Sequence, residues 1–196
     1  MKVISGILKG RNIKGYNIDG TRPTMDRVKE SLFASINGYL EDSVVLDLFA
    51  GSGNLGIEAI SNGGKKCYFV DNNRNCIKVI NDNINTFEIS DKCKVLNRDY
   101  KQALKYFRDS DIKFDLILVD PPYDYVVINE IMDLVDGYGL LNDGGIIVLE
   151  YRDDVLNKYK NYELLKCKKY GDKFISIYKF KKNNWLSIVF LVWFIW

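Results

Sequence analysis

Short apolar runs alternate with amphipathic segments along residues 44–151. The predicted strands SVVLDLFA, KKCYFVD, CKVLN, FDLILVD and GGIIVLEY are apolar for most of their length, which is typical of strands covered on both faces. The segments between them, such as RNCIKVINDNINTF and YKQALKYF, carry apolar residues at helical spacing. The pattern therefore predicts an α/β fold in which helices flank a mostly parallel, doubly wound sheet.

The chain before this alternation predicts a small extension. Residues 2–18, KVISGILKGRNIKGYNI, contain glycine-marked turns and predict a β-hairpin. The segment that follows predicts a helix with Thr24 as its N-cap. One apolar stripe at i+4 spacing marks the buried side of that helix: Val28, Leu32, Ile36 and Leu40.

The chain after the alternation predicts a change of strand direction. YELLKCKKYG and KFISIYKF have only a Gly171–Asp172 turn between them, so the two strands pair antiparallel. With no internal repeat and no linker, we expect a single domain over residues 1–182. Its parts are an N-terminal extension (1–40) and a core (41–182).

A hydrophobic tail follows at residues 183–196 and includes the twelve-residue run WLSIVFLVWFIW. The run is too short to span a bilayer, which needs about 20 residues. An interfacial anchor, a partner-binding segment and an idle tail all remain open. Because the run lacks charge and helical periodicity, membrane contact is the less favoured interpretation.

Charge is unevenly distributed, although the net charge is only +2. Residues 1–30 carry +4 and residues 158–182 carry +7, whereas the middle carries −9. Basic ends on an acidic body predict contact with a polyanion, but lysines that only coat exposed strands give the same count.

The cysteine and histidine content limits the possible chemistry. Four cysteines occur without a CxxC pair, which predicts free thiols in a reducing cytoplasm and no metal site. There is no histidine, so a mechanism with an imidazole base is excluded. The first ten residues lack the apolar core of a signal peptide, so we expect a cytoplasmic protein.

The stretch LDLFAGSGNLG predicts a nucleotide-type binding turn, because Gly51, Gly53 and Gly56 have the spacing of the dinucleotide fingerprint. Asp47 ends the strand before this turn. Its carboxylate would repel the pyrophosphate of NAD but attract the ammonium and sulfonium groups of S-adenosylmethionine. The sequence therefore favours S-adenosylmethionine as the cofactor.

Two further acids follow the next predicted strands. Asp71 is predicted to accept hydrogen bonds from ribose hydroxyls, which both cofactors carry. Asp99 is predicted to accept from an adenine amino group, to cap the helix that follows, or to do both.

The stretch FDLILVDPPYD predicts a binding site for a planar amine at the same sheet edge. Asp120 and the Pro121 carbonyl can each accept one N–H of an exocyclic amine, Pro122 makes the backbone rigid, and Tyr123 can stack on the base. The alternative is a proline turn that ends a strand beside a surface tyrosine.

These motifs resemble the RsmD family, bacterial class I methyltransferases that act on guanine N2 of 16S ribosomal RNA. The match includes ISGILKGRNI, TRPTMDRVKESLF, FVDNN, LVDPPY and KKYGDKFISIY, in addition to the glycine turn, and it covers residues 1 to about 180. The RPTxDRVKE pattern is its specific part, since many methyltransferases share the glycine turn and DPPY. The tail departs from the family pattern.

The resemblance implies a Rossmann-like class I methyltransferase fold with seven strands, mostly parallel, and an antiparallel last strand. It implies that Asp120, Pro121, Pro122 and Tyr123 meet the target amine. S-adenosylmethionine would be held by Asp47, Phe49, Ala50, Gly51, Ser52, Gly53, Asp71, Asn72 and Asp99. The substrate would be 16S ribosomal RNA within small-subunit particles. It would contact Arg11, Arg22, Thr24 and Arg27.

Three alternatives remain open at this point. The DPPY tetrapeptide also suits the N6 amine of adenine in RNA or DNA, although the chain has no room for a large target-recognition domain of a DNA enzyme. An NAD oxidoreductase is disfavoured by Asp47 and by the lack of an evident hydride-acceptor site. A non-catalytic RNA-binding assembly factor could keep the same fold.

Overall fold

A computed structural model describes residues 1–15, 23–121, 125–152 and 159–181. The hydrophobic tail, and residues 16–18 of the predicted hairpin, lie outside these ranges. The helices are α1 (Pro23–Ile36), α2 (Asn54–Ser61), α3 (Arg74–Phe87), α4 (Tyr100–Asp109) and α5 (Tyr125–Gly137), with short 3₁₀ turns at Asn37–Tyr39 and Ser90–Lys92. The strands are β1 (Val44–Leu48), β2 (Lys66–Asp71), β3 (Cys93–Asn97), β4 (Phe114–Val119), β5 (Leu141–Tyr151), β6 (Tyr162–Tyr170) and β7 (Lys173–Phe180).

The seven strands form one sheet in the order β3-β2-β1-β4-β5-β7-β6. Strands β1 to β5 pair in parallel, whereas β7 runs antiparallel to both β5 and β6. The predicted α/β fold, with its mostly parallel sheet and reversed last strand, is confirmed, and so is the hairpin around Gly171–Asp172.

The strand order reverses between β1 and β4, since β2 and β3 lie to one side of β1 and β4 and β5 lie to the other. Open α/β sheets bind ligands at the carboxyl ends of the strands beside such a switch point. The fold therefore brings the ends of β1 and β4, which carry the glycine turn and Asp120, to the usual ligand-binding edge.

Apolar residues on the two faces of the sheet form two cores. One face packs against α1, α2 and α3, and the other packs against α4 and α5. Leu32, Ile36 and Leu40 are buried in the first core and Val28 packs against it, as the predicted stripe requires. The continuous apolar strands are thus explained by burial on both sides.

The N-terminal hairpin prediction is confirmed only in a minimal form within the described part of residues 2–18, where the Val3 N–H donates to the Arg11 carbonyl and the Ile13 N–H to the Met1 carbonyl. Only one antiparallel bridge forms there, between Lys2 and Asn12, and turns occupy the residues between them. The backbone N–H groups of Ile4 and Ser5 instead donate to the carboxylate of Glu58 in α2, at 2.8–3.0 Å. A helix side chain therefore takes the place of a partner strand.

The buried carboxylate of Glu58 has a cationic partner in α1. The Nζ atom of Lys29 lies 2.8 Å from Glu58 Oε2, and it also donates to the backbone oxygen of Lys2 and to Asn54 Oδ1. The side chains of Lys29 and Glu58 are only 3% and 0% exposed. This ion pair joins the first residues of the chain, α1 and the start of α2.

Helix α1 begins two residues earlier than predicted, since an N-cap at Thr24 would make Met25 the first helical residue. Thr24 is the second helical residue, so its assignment as the N-cap is wrong. Pro23 occupies the first helical position, where its fixed φ suits the helix and its missing N–H costs nothing.

No helix among the described residues is long and apolar enough to cross a membrane.

Candidate active site

The turn after β1 is built from backbone conformations that side chains rarely adopt. Phe49, Gly51 and Gly53 all have positive φ, at 67°, 56° and 79°. Gly53 caps the start of α2, and the N–H of Ala50 donates to the carbonyl of Val70 in β2. A Cβ added at Gly51 would meet no described atom within 4 Å, so the space above the turn is open.

Gly56 has a different role, because it lets α2 pack closely on β2. An added Cβ would lie 2.3 Å from Phe69 Cε1 and 2.7 Å from Cys67 Sγ. The third glycine of the motif is therefore required by helix–strand packing.

We expect Gly56→Ala to lower the free energy of unfolding by about 1–3 kcal/mol, because a fully buried ring must move. Urea denaturation measures the change. Gly137→Ala in α5 is the matched control, since its added Cβ would meet no described atom and alanine favours the helix. Equal stability of the two variants would contradict the packing role.

Asp47 is buried at the end of β1, with 2% exposure. Its Oδ2 accepts the N–H of Gly56 at 2.8 Å. Burial raises the pKa of Asp47 to about 8, and repulsion from Asp120 and Asp71 adds to the effect, whereas the Gly56 hydrogen bond opposes it. Three carboxyl groups thus gather at one sheet edge, where a bound phosphate would add to their mutual repulsion and a bound cation would relieve it.

The raised pKa makes folding stability depend on pH. The folded state holds a proton on Asp47 up to about pH 8, whereas the unfolded chain releases it near 3.8. We therefore expect stability to fall as pH rises between these values, by up to about 1.4 kcal/mol per pH unit from this group. Asp47→Asn should flatten that slope in urea titrations at several pH values. Identical slopes for variant and wild type would show that Asp47 does not titrate in this window.

Asp71 ends β2 beside the same turn. Its Oδ2 accepts the N–H of Gly51 at 2.9 Å, and its Oδ1 accepts the N–H of Asn73 at 2.8 Å. A carboxylate has about four acceptor positions, so two are left for the hydroxyls of a ligand. Asn72 is exposed next to it, and Ser52 is buried within the turn.

Asp99 caps α4, because its side chain accepts the N–H of Lys101 at 2.9 Å. The predicted capping role is confirmed, and acceptance from an adenine amine stays a prediction. The neighbouring ring of Tyr100 lies 5.5 Å from that of Phe49, so an aromatic pair lines the edge between the turn and α4.

Asp120 directly follows β4 and is half-buried. Burial and the carboxylate of Glu150 together raise its pKa to about 7, against the opposing effect of Lys173. Pro121 is described and half-buried, whereas Pro122 and Tyr123 lie outside the described residues.

The predicted RNA-contacting residues divide into two groups. The guanidinium of Arg11 donates to the carbonyl of Thr86 at 2.5 Å and lies 4.7 Å from the Phe87 ring centroid, so it caps the end of α3. Arg27 is exposed in α1, the side chain of Thr24 is not described, and Arg22 lies outside the described residues.

The first turns of helix α1 lie toward the carboxyl edge of the sheet. Ser35 contacts Lys166 and Ser31 contacts Tyr170, and β6 runs from Lys166 toward the carboxyl edge. Arg27 lies one turn before Ser31, about 6 Å farther along the helix. Its position therefore suits contact with a substrate at the edge that carries Asp120.

Four charged residues of this region were not predicted as functional: Lys29, Glu58, Glu150 and Lys173. A weak signal exists for two of them, because Glu58 and Glu150 interrupt apolar segments, NLGIEAIS and IIVLEY. Their cationic partners are far away in sequence and gave no signal.

Comparisons with known proteins agree with this geometry. The solved structure of "Putative methyltransferase yhhF from Escherichia coli" matches with a TM-score of 0.81 and 25% identity, over 92% of this chain and 98% of that one. The fold and the site define an S-adenosylmethionine-dependent methyltransferase of class I.

The chain belongs to the family described as "Conserved hypothetical protein 95", whose model matches residues 1–179. It is 39% identical to "Putative rRNA methyltransferase YlbH" of Bacillus subtilis, over 91% of this chain and 98% of that protein. It is 33% identical to "Ribosomal RNA small subunit methyltransferase D" of Haemophilus influenzae, over 87% and 89%. The predicted membership of the RsmD family is confirmed.

Proposed function

We propose that the protein transfers a methyl group from S-adenosylmethionine to the exocyclic N2 amine of a guanine in 16S ribosomal RNA. The position of Asp120 carries the proposal, because it follows β4 at the switch point, beside the glycine turn of β1. The name of the Haemophilus influenzae relative supports ribosomal RNA of the small subunit as the substrate.

The residues at the turn fit S-adenosylmethionine. The open space above Gly51 admits a ligand against the backbone. The positive charge of the cofactor would favour the ionised forms of Asp47 and Asp120, whose pKa values are raised in the free protein. The predicted ligand set stays Asp47, Phe49, Ala50, Gly51, Ser52, Gly53, Asp71, Asn72 and Asp99. When bound, the cofactor supplies a methyl group that its sulfonium already activates.

The protein's own contribution is to position the amine. The carboxylate of Asp120 and the carbonyl of Pro121 each accept one N–H, which orients the nitrogen lone pair toward the methyl group. This lone pair is delocalised into the base, so most of the rate enhancement comes from orientation. Asp120 then takes the proton that the nitrogen releases. Tyr123 stacks on the face of the base.

The RNA approaches over the N-terminal part of the chain in this proposal. Arg22, Thr24 and Arg27 contact it near the site, and Arg11 contributes from the end of α3. The target base must leave its stack, at a cost of a few kcal/mol that is least for an unpaired base. A loop of folded ribosomal RNA is therefore a better target than a duplex.

Methyl transfer with labelled cofactor tests the proposal directly. The protein is incubated with S-adenosylmethionine labelled in the methyl group and with naked 16S RNA or small-subunit particles, and the RNA is then digested to nucleosides. Label in N2-methylguanosine is the expected result, and a difference between the two substrates shows whether assembled particles are required. Label in N6-methyladenosine would reject the guanine assignment, and no label in either substrate would favour a non-catalytic assembly factor.

A further inference from the structure

Asp120 has two charged neighbours on the next two strands of the sheet, β5 and β7. The proposed mechanism does not use either of them. Val119 of β4 pairs with Leu149 of β5, so the next residues, Asp120 and Glu150, lie side by side at the carboxyl edge. Their carboxyl groups are within hydrogen-bonding reach of each other. The Nζ atom of Lys173 in β7 forms an ion pair and hydrogen bond with Glu150 Oε1. One lysine thus accompanies two carboxyl groups.

Glu150 and Asp120 differ in how they interact with Lys173. The side chain of Glu150 is 20% exposed and that of Lys173 is 40% exposed, and each has the other as its ionic partner. Lys173 forms its direct ion pair with Glu150 and acts on Asp120 through charge alone, and the acid Asp47 repels Asp120 from β1. Arg152, at the end of β5, lies near Lys173 and repels it. Burial and the neighbouring Glu150 carboxylate therefore favour the protonated form of Asp120.

We propose that Glu150 and Lys173 are positioning residues for Asp120: their ion pair fixes the Glu150 carboxylate against Asp120 and sets the pH at which Asp120 is ionised. The proposal rests on the proposed function for its catalytic meaning. Each turnover forms one N–C bond while the S–C bond of the methyl donor breaks and leaves its electron pair on sulfur. It then breaks one N–H bond, whose electron pair stays on nitrogen. The released proton binds an oxygen of Asp120 and leaves to solvent at this open edge, while Glu150 keeps its ion pair with Lys173.

The electrostatics of the cluster agree with these roles. Burial and Glu150 raise the pKa of Asp120 to about 7, and Lys173 lowers it. A carboxyl group with a pKa near neutrality can accept N–H bonds as a carboxylate and still take up a proton after transfer. Glu150 raises the pKa of Asp120 and Lys173 lowers it. Replacing Glu150 and replacing Lys173 are therefore expected to shift this pKa in opposite directions.

The protonation of Asp120 can be followed in the free protein, without cofactor or RNA. Carboxyl carbons are labelled with ¹³C in all aspartates, and the resonance that disappears in Asp120→Asn identifies this residue. In Glu150→Gln we expect its titration midpoint to move down by about one pH unit or more, because a neighbouring negative charge is removed. In Lys173→Met we expect the midpoint to move up, and in Lys173→Arg to return to the wild-type value.

Two matched controls come from the same hairpin. Lys179 lies on the same face of β7, six residues from Lys173, and Glu163 in β6 pairs with Lys181. We expect Lys179→Met and Glu163→Gln to leave the Asp120 midpoint unchanged. An Asp120 midpoint that stays in place in Glu150→Gln overturns the proposal. Equal shifts in the controls would also overturn it, since they would show a general effect of surface charge.

The pH dependence of methyl transfer then connects the cluster to catalysis. The acid limb of the rate profile is expected to move down in pH in Glu150→Gln and up in Lys173→Met, by the amounts found in the titration. If the titration midpoint of Asp120 shifts in these variants but the acid limb of the rate profile stays fixed, the catalytic part of the proposal is overturned. If the wild type transferred no methyl group to any RNA tested, the proposed function would fail, while the titration would still decide whether this pair controls Asp120.

Discussion

Replacing Asp120 with asparagine is expected to reduce methyl transfer by about 10²–10⁴-fold, the range of a lost general base. Asparagine keeps the shape and one acceptor oxygen, but its NH₂ group cannot accept an N–H of the substrate, and it takes up no proton at neutral pH. Binding of S-adenosylmethionine should persist, because the turn and Asp71 are untouched. Single-turnover transfer at saturating RNA measures the rate, and calorimetry measures cofactor binding.

The control for this change is Asp91→Asn, which removes an exposed acid that precedes β3, at the end of the sheet opposite to the carboxyl edge. It should leave both rate and cofactor affinity as in the wild type. An Asp120→Asn protein that turns over at the wild-type rate would refute the assignment of Asp120. Loss of cofactor affinity equal to the loss of rate would assign this residue to cofactor binding instead.

Replacing Lys29 with methionine is expected to lower the free energy of unfolding by about 3–5 kcal/mol. The change leaves the Glu58 carboxylate buried without its cation, and it removes the donors to the Lys2 carbonyl and Asn54. Domains of this kind have total stabilities of about 5–15 kcal/mol, so the loss is a large fraction of the whole. Urea denaturation monitored by circular dichroism measures it.

Lys105→Met is the matched control, because Lys105 forms an exposed i,i+4 pair with Asp109 in α4 and its loss should not be measurable. The double variant Lys29→Met, Glu58→Leu should recover part of the stability, because it removes the unpaired buried charge. A Lys29→Met protein as stable as the Lys105→Met control would show that the ion pair is not required.

Local pattern predicts the regular core of this protein well. RNCIKVINDNINTF and CKVLN match α3 and β3 residue for residue, since their apolar positions meet a core at the spacing of the element. Strand β5 begins at Leu141, ahead of the predicted GGIIVLEY segment, because a register shift against β4 lets the chain pair through a positive φ at Gly144. Bulges of this kind depend on the partner strand, so the sequence of one strand does not reveal them.

Long-range polar contacts limit the prediction of the site. The acids Asp47, Asp71 and Asp120 follow apolar strands, so their place at one edge is predictable from the parallel fold. Lys29 and Glu58 are 29 positions apart, and Glu150 and Lys173 are 23 apart, so only the folded chain shows that they are partners. The predicted N-terminal hairpin is short for the same reason, since Glu58 accepts the N–H groups of Ile4 and Ser5.

The docking of the first residues on α2 also affects how the chain is made. Ile4, Ser5 and Leu8 leave the ribosome first, but their partners Glu58 and Ser61 are synthesised more than 50 residues later. At about 5–20 residues per second, the segment waits roughly 3–10 s for them. During that interval Val3, Leu8 and Ile13, which are buried in the folded protein, have no cover. The nascent N-terminus therefore exposes apolar side chains to solvent until α2 has emerged.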